Sequence, residues 1–221
     1  MKTIIFDLDG TLINTAIGLN RCMNIALEKN GLPKISEKQT EEYVGNGIFN
    51  YAVRAVFQTF GLPPLDENAK NLCNAVYSDF NAEYAKHGLE GCVLYDGIAE
   101  TLSALKTKNV RLALLSNKAQ FATDLFYKTF LEKYEFAAVV GQREGLALKP
   151  APDGLLAILN SLNADKADAL MVGDGETDYL TAKNAGIKCL SVLWGYRDKT
   201  RLQAAGATLF ANNPKDILNY I

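Results

Sequence analysis

The sequence predicts an α/β fold, in which a parallel β-sheet carries helices on both faces and an all-helical segment is inserted after the first strand. Two observations lead to this prediction. Short aliphatic runs alternate with helical patterns over the second half of the chain, and the first such run stands about 100 residues before the second. Because a βαβ unit needs only about 30 residues, an insertion must separate the first two strands.

The predicted strands are short runs of β-branched and aliphatic residues bounded by polar residues or glycine, which is typical of strands buried on both faces. Such runs lie at residues 3–8, 110–115, 137–140, 169–172 and 187–193, with a possible sixth at 207–210. Helical patterns lie near residues 97–108, 119–131, 152–161 and 177–185. Because helices and strands alternate from residue 92 onward, neighbouring strands should run parallel.

The inserted segment shows helical spacing of its apolar residues, first over Leu19 to Leu27 and again over Leu72 to Phe80. We therefore expect a core domain of residues 1–14 and 88–221 and a helical cap of residues 15–87. An insertion that leaves the chain directly after the first strand should lie over the carboxyl end of that strand. Open α/β sheets bind their ligands at this end.

Composition excludes several classes of partner. The chain of 221 residues has 23 Lys+Arg, 25 Asp+Glu and a formal net charge of −2. This balance offers no electrostatic footprint for nucleic acid or an anionic membrane. No apolar run approaches the roughly 18 residues of a membrane span, and acids stand where a signal peptide needs apolar residues, so we expect a cytoplasmic protein. The four scattered cysteines are expected to be buried and reduced.

Polar residues stand at or shortly after the carboxyl ends of four of the predicted strands. They are Asp7, Asp9, Gly10 and Thr11, then Ser116 and Asn117, then Lys149, and finally Gly173, Asp174, Gly175 and Asp178. Because the carboxyl ends of parallel strands meet at one sheet edge, we expect these side chains in one crevice. Four carboxylates this close would raise one another's pKa unless a cation lay among them. Every candidate ligand is a hard oxygen, so the expected cation is Mg²⁺.

A metal ion beside a lysine and a serine suits a phosphoryl group, because the cations offset its charge and hydroxyl and loop N–H groups complete its binding site. Asp7 and Asp9 are two residues apart and share one side of the strand if the strand continues through both. One carboxylate could then attack phosphorus while the other handles the proton.

Four motifs span nearly the whole chain in order. They are Phe6-Asp7-Leu8-Asp9-Gly10-Thr11-Leu12, Leu115-Ser116-Asn117-Lys118, Lys149-Pro150-Ala151-Pro152 and Val172-Gly173-Asp174 through Asp178. With them the sequence resembles the haloacid dehalogenase superfamily of phosphohydrolases, and within it the phosphoglycolate phosphatase-like group. The insertion resembles the helical cap of that group through Val44-Gly45-Asn46-Gly47. The resemblance implies a Rossmann-like core with an all-helical cap.

The resemblance also implies catalytic roles for four residues. Asp7 would be the nucleophile that forms an aspartyl-phosphate. Asp9 would protonate the leaving oxygen and then activate water. Ser116 would donate to a phosphoryl oxygen, and Lys149 would offset the charge of both Asp7 and the phosphate.

The same resemblance implies a magnesium site and a substrate site. The metal ligands would be Asp7, the backbone carbonyl of Asp9, Asp174, and Asp178 either directly or through water. The remaining substrate contacts would come from Thr11, Asn117, Asn46 and Gly47, together with Ser116 and Lys149.

Several of these residues also have a purely structural interpretation. Asp174 and Asp178 could cap the helix that follows them, and Ser116 could be a helix cap. The segment Gly45-Asn46-Gly47 is explained equally well by a turn between cap helices and by a substrate loop. Arg21 and Arg54 could pair with a substrate carboxylate, but solvated helix faces are the expectation for both.

The sequence thus predicts a Mg²⁺-dependent phosphatase that hydrolyses a small phosphorylated metabolite, with 2-phosphoglycolate as the first candidate. A phosphoglucomutase-like phosphoryl transferase and a pyrophosphatase of the same superfamily are the enzymatic alternatives. A non-enzymatic phospho-receiver module also combines an acceptor aspartate, other acids, a hydroxyl and a lysine. Receiver modules, however, lack both an acid two residues beyond the acceptor and a helical insertion.

Overall fold

The computed structural model describes residues 1–221 and divides into two compact units, one of Met1–Asn14 with Val93–Ile221 and one of Thr15–Cys92. The strands are β1 (Thr3–Phe6), β2 (Ile13–Asn14), β3 (Val93–Leu94), β4 (Arg111–Ala119), β5 (Ala138–Gln142), β6 (Ala169–Gly173), β7 (Lys188–Val192) and β8 (Phe210–Ala211). The α-helices are α1 (Ala16–Lys29), α2 (Glu37–Tyr43), α3 (Ile48–Phe57), α4 (Glu67–His87), α5 (Ile98–Thr107), α6 (Gln120–Phe126), α7 (Asp153–Ser161), α8 (Glu176–Ala185) and α9 (Lys199–Ala205). A π-helical turn covers Tyr127–Leu131, and 3₁₀ turns cover Glu132–Tyr134, Lys166–Asp168 and Pro214–Tyr220.

Six strands of the first unit form one parallel sheet in the order β5-β4-β1-β6-β7-β8, which confirms the predicted fold class. β1 lies inside the sheet, with Phe6 opposite Leu114 of β4 on one side and Val172 of β6 on the other. The chain builds the sheet outward from β1 in one direction and then returns to build it in the other. Open α/β sheets bind their ligands at the carboxyl ends of the strands where the direction reverses.

A hydrophobic core fixes the strands that end at this reversal. Ile5 of β1 and Met171 of β6 are fully buried in one cluster with Leu155 of α7. Because side chains alternate along a strand, Phe6 points to the opposite face. There its ring centroid lies 6.2 Å from that of Phe136. Both faces of β1 are therefore packed, and the loop after it starts from a rigid position.

β4 is longer than the sequence predicts. The sequence predicts an end at residue 115, but the strand continues to Ala119, and its register to β5 shifts between Leu115 and Ala119. Ser116, Asn117 and Lys118 lie in this irregular part. Irregularities of this kind bend a strand and re-aim its side chains, and they are common beside active sites.

β1 is shorter than predicted because the chain turns sharply after it. The strand ends at Phe6, and the Leu8 carbonyl then accepts the backbone N–H groups of Leu12 and Ile13, each at 3.1 Å. The turn leads into β2, which pairs antiparallel with β3 through Ile13 and Leu94. Two-residue strands show no usable periodicity, so the sequence does not predict β2 and β3.

The second unit consists of α1 to α4 and contains no strand. The apolar stripes that predicted its longest helices are buried: Leu19, Met23 and Leu27 on α1 and Val76 and Phe80 on α4 are all 0% exposed. α4 ends at His87, but two further turns keep the chain in this compact unit as far as Cys92.

The expectation of a solvated Arg54 is wrong. Only 5% of this residue is exposed. Its guanidinium donates to the carbonyls of Tyr43 at 2.7 Å and Phe60 at 2.9 Å, and it also lies over the Phe60 ring. Arg54 therefore ties together the segments on either side of α3, whereas Arg21 pairs with Glu90 at the surface.

Two expectations from composition can be compared with the structure. All four cysteines are buried and unbridged, as predicted. None of the helices combines the length and the apolar character that a membrane-spanning segment needs.

Candidate active site

Three of the four predicted acids lie together. Asp7 follows β1, Asp174 follows β6, and Asp178 stands in the first turn of α8. Carboxylate oxygens of the three residues lie within 4.8 Å of one another, which is close enough for them to share one metal ion. The parallel strands β1 and β6 are neighbours in the sheet, and their adjacency explains the convergence.

Lys149 joins two of these acids. Its ammonium lies 2.7 Å from Oδ1 of Asp7 and 2.6 Å from Oδ1 of Asp178, and its side chain is only 3% exposed. Asn117 fixes the backbone of this lysine, since its Oδ1 accepts the Lys149 N–H at 2.7 Å and its Nδ2 donates to the Lys149 carbonyl at 3.0 Å. The side chain of Asn117, predicted to bind substrate, thus positions Lys149.

Asp178 is held on both of its oxygens. Oδ1 meets Lys149, and Oδ2 accepts the backbone N–H of Gly175 at 2.9 Å. Gly173 leaves room for this carboxyl group, because a Cβ at that position would collide with it. Asp178 therefore caps the start of α8 and orients Lys149 at the same time, so the capping and functional interpretations are compatible.

Asp174 is supported by two donors from separate segments. Its Oδ2 accepts the Tyr196 backbone N–H at 2.8 Å, and its Oδ1 accepts the Thr11 hydroxyl at 3.2 Å. Thr11, predicted to contact substrate, is fully buried and directs its hydroxyl to this acid. Gly10 adopts φ +81°, and a Cβ there would strike the Asp174 carboxylate, so this tight turn requires glycine.

Asp9, the fourth predicted acid, is held by a different lysine. The Lys118 ammonium lies 2.9 Å from Oδ1 and 3.0 Å from Oδ2 of Asp9. Beside it, Ser116 is buried and its Oγ accepts the Lys118 backbone N–H at 3.2 Å. The Ser116 hydroxyl hydrogen can consequently be donated to a ligand.

The pKa shifts in the cluster formed by Asp7, Asp174, Asp178 and Lys149 indicate an excess of negative charge. Burial raises the pKa of the Asp7 carboxyl well above its usual value, and the charge of Asp178 raises it further, against the opposing effect of Lys149. Burial, followed by the charge of Asp178, raises the pKa of Asp174 to about 6. Burial lowers the pKa of the Lys149 ammonium, but the charges of Asp178 and Asp7 outweigh this and raise it.

The site thus contains four carboxylates and two lysines, so the acids outnumber the lysines by two when all six groups are ionised. Arg197 also acts on Asp174, but it is itself paired with Glu176. The available donors are carboxylate and carbonyl oxygens, with no histidine or thiol among them. A hard divalent cation fits both the donor set and the charge.

Asn46 and Gly47 lie in the other unit. They belong to the turn between α2 and α3, where Gly45 and Gly47 adopt φ values of +124° and +85°. The Asn46 backbone carbonyl accepts a hydrogen bond from the Asn50 side-chain amide at 2.8 Å. This geometry accounts for the two glycines as turn residues, and the predicted substrate role of Asn46 and Gly47 stays a prediction.

Three groups at the site carry no functional prediction from the sequence: Lys118, Trp194, which is expected only to pack, and the Tyr196 backbone. Trp194 Nε1 donates to the Thr11 carbonyl at 2.9 Å and so helps to fix the turn after β1. For Lys118 a signal was present, because it belongs to the same motif as Ser116 and Asn117. For the segment after β7 no motif gave a signal.

Comparison with known proteins identifies the family of this chain. The model of the haloacid dehalogenase-like hydrolases matches residues 4–192. The chain belongs to the haloacid dehalogenase-like hydrolase family. It is therefore an enzyme, and the resemblance found in its motifs is confirmed.

Individual relatives of this hydrolase extend over almost its full length. A phosphoglycolate phosphatase of Rhodospirillum rubrum is 34% identical over 195 residues, which cover 88% of this chain and 80% of the relative. One of Vibrio parahaemolyticus is 30% identical and covers 100% of this chain and 96% of its own. A solved structure from Lactobacillus delbrueckii subsp. bulgaricus, provisionally named phosphoglycolate phosphatase, has a TM-score of 0.91 at 26% identity and covers 98% of this chain and 97% of its own.

Proposed function

We propose that this hydrolase is a Mg²⁺-dependent phosphatase of a small phosphorylated metabolite and that Asp7 is transiently phosphorylated. The observation that carries the proposal is the buried group of Asp7, Asp174 and Asp178, in which Lys149 bridges two of the acids. A carboxylate held beside an ammonium and a cation site can meet the charge of a phosphate group. The names of the relatives support the same reaction class.

The metal would be held by Asp7, Asp174 and the backbone carbonyl of Asp9, with Asp178 in support. Bound there, it would offset charge on the phosphoryl oxygens. Asp178 has both oxygens engaged by Lys149 and Gly175, and its proposed part is therefore to hold the lysine.

In the first step an Asp7 oxygen attacks phosphorus and the bond from phosphorus to the leaving oxygen breaks. Lys149 stabilises the charge on the phosphoryl oxygens, and Ser116 donates its hydroxyl hydrogen to one of them. Asp9 gives its proton to the leaving oxygen, so the leaving group departs as an alcohol. The products are an aspartyl-phosphate at Asp7 and an ionised Asp9.

In the second step water attacks the phosphorus of the aspartyl-phosphate, and Asp9 accepts the proton that the water loses. The bond between phosphorus and the Asp7 oxygen breaks. Inorganic phosphate leaves, Asp7 returns as a carboxylate and Asp9 is again protonated, so the cycle closes without another reagent.

Among substrates, 2-phosphoglycolate is the first candidate, because relatives matching 88% and 100% of this chain are named for that activity. The sequence further predicts that residues 15–87 act as a cap that selects the substrate, with contacts from Asn46 and Gly47. Replacing Asn46 with alanine should then change the ranking of substrates by kcat/KM.

The test is a screen of phosphorylated metabolites with Mg²⁺, comparing the wild type with Asp7→Asn. We expect free phosphate from the wild type and loss of turnover in a folded Asp7→Asn protein. An isomerised sugar phosphate would favour the phosphoryl transferase, and a stable aspartyl-phosphate without turnover would favour the receiver module. An Asp7→Asn protein with most of its activity would overturn the nucleophile assignment.

A further inference from the structure

The two lysines of the site divide the acids between them. Lys149 serves Asp7 and Asp178, whereas Lys118 contacts both oxygens of Asp9. We propose that Lys118 is a positioning residue that holds the Asp9 carboxylate where it can exchange a proton with the leaving group and with water. The inference rests on the proposed function, because it requires Asp9 to be the proton carrier.

The ammonium of Lys118 is itself held in place. Its side chain is 2% exposed, and the nitrogen lies 4.8 Å from the centroid of the buried Phe126 ring, within the range of a cation–π interaction. The backbone is fixed at both ends: the Lys118 N–H meets Ser116, and the Lys118 carbonyl accepts the Thr123 hydroxyl at 3.1 Å. Asp9 is thus held by a group that has little freedom to move.

The geometry of the pair suits positioning. A contact to both carboxylate oxygens restrains the rotation of the Asp9 side chain as well as its location. Asp9 retains 14% side-chain exposure, so it can still meet a ligand while Lys118 lies behind it. Stability is a weak reason for such a pair, because the cost of removing both charges from water can exceed their attraction.

The irregular part of β4 connects this role to the rest of the site. Three consecutive residues there make three different contacts: Ser116 offers its hydroxyl, Asn117 fixes the Lys149 backbone, and Lys118 holds Asp9. The register shift lets neighbouring side chains serve these separate partners. Lys118 therefore belongs to the same local structure that orients the proposed phosphate contacts.

The first arm of the test is Lys118→Met, which removes the charge and keeps a long side chain. We expect kcat to fall by about 10- to 100-fold, the scale of a misplaced catalytic group, with KM changed by less than about threefold. Lys106→Met is the matched control, because it removes a lysine from the exposed ion pair with Glu135 in the same unit. That control should keep the kcat of the wild type.

The decisive arm is a double-mutant cycle with Asp9→Asn, in which coupled residues give non-additive effects. If Lys118 acts through Asp9, Lys118→Met should change kcat by less than about twofold once Asp9 is already replaced. A purely structural lysine would lower kcat by the same factor in both backgrounds, and that result would overturn the inference. If Lys118→Met does not fold, Lys118→Gln replaces it in the same cycle, because the glutamine amide can hydrogen-bond in this polar site.

Failure of the proposed function would look different. A kcat close to the wild-type value for Asp9→Asn alone would remove Asp9 as the proton carrier, and the inference about Lys118 would fall with it. A low kcat for Asp9→Asn combined with multiplicative effects of Lys118→Met would leave the proposed function standing and overturn the positioning role alone.

Discussion

Protons should compete with the metal for the carboxylates of the cluster, and the structure sets the pH range of that competition. Metal binding requires ionised carboxylates. Burial and the charge of Asp178 raise the pKa of Asp174 to about 6. An exposed aspartate, with a pKa near 3.9, would be ionised throughout the range from pH 5 to pH 7 and would give almost no pH dependence.

The magnitude follows from Asp174 alone. With a pKa of about 6, about ten molecules in eleven carry the ionised carboxylate at pH 7 and about one in eleven at pH 5. The apparent affinity for Mg²⁺ should therefore fall about tenfold between these values. The raised pKa of Asp7 acts in the same direction and makes tenfold a lower bound.

The assay is calorimetric titration of the metal-free protein with Mg²⁺ at several pH values, with circular dichroism to verify folding at each. Asp174→Asn is the control, and we expect weaker binding with a shallower pH dependence. Equal dissociation constants at pH 5 and pH 7 in the wild type would refute the reasoning, because the cluster would then bind no proton that the metal must displace.

Three further predictions concern individual residues. Asp9→Asn should lower kcat by about 10²- to 10⁴-fold, the usual range for general acid–base catalysis. Steady-state assays on the folded variant test this, and a kcat within about threefold of the wild-type value would contradict it. Gly10→Ala should weaken Mg²⁺ binding and lower the melting temperature, since its Cβ would strike Asp174 at a positive φ; an unchanged calorimetric titration would argue against this packing. Asn117→Ala should cost about 1–3 kcal/mol in urea unfolding and lower kcat, because it removes both hydrogen bonds to the Lys149 backbone, and a wild-type kcat would show that Lys149 needs no such support.

The sequence located the site because its residues follow strands whose identity is strongly patterned. Buried runs such as β1 and β6 are recognisable from composition, and the parallel arrangement then brings Asp7 and Asp174 together without further information. The direction in which a side chain points after a strand is a different matter. It depends on turns such as the one closed by the Leu8 carbonyl, which periodicity does not reveal.

The roles of Thr11, Asn117 and Lys118 show this limit. All three were recognised as motif residues, but their contacts are made to other protein groups: Asp174, the Lys149 backbone and Asp9 respectively. Arg54 shows the same limit away from the site, because its carbonyl acceptors at Tyr43 and Phe60 come from segments outside its own helix. A polar residue in a sequence indicates that a partner exists, but the fold decides which one.

The register shift in β4 makes the length of this segment as important as its composition. Substituting one residue between Leu115 and Ala119 would disturb one contact, and a chemically similar side chain could restore it. Deleting or adding a single residue would instead turn every following side chain toward a new partner. The Ser116 hydroxyl, the Asn117 contact with the Lys149 backbone and the Lys118 contact with Asp9 would then be lost together. Variants of this hydrolase with altered substrate preference should therefore be made by substituting side chains, without insertions or deletions in β4.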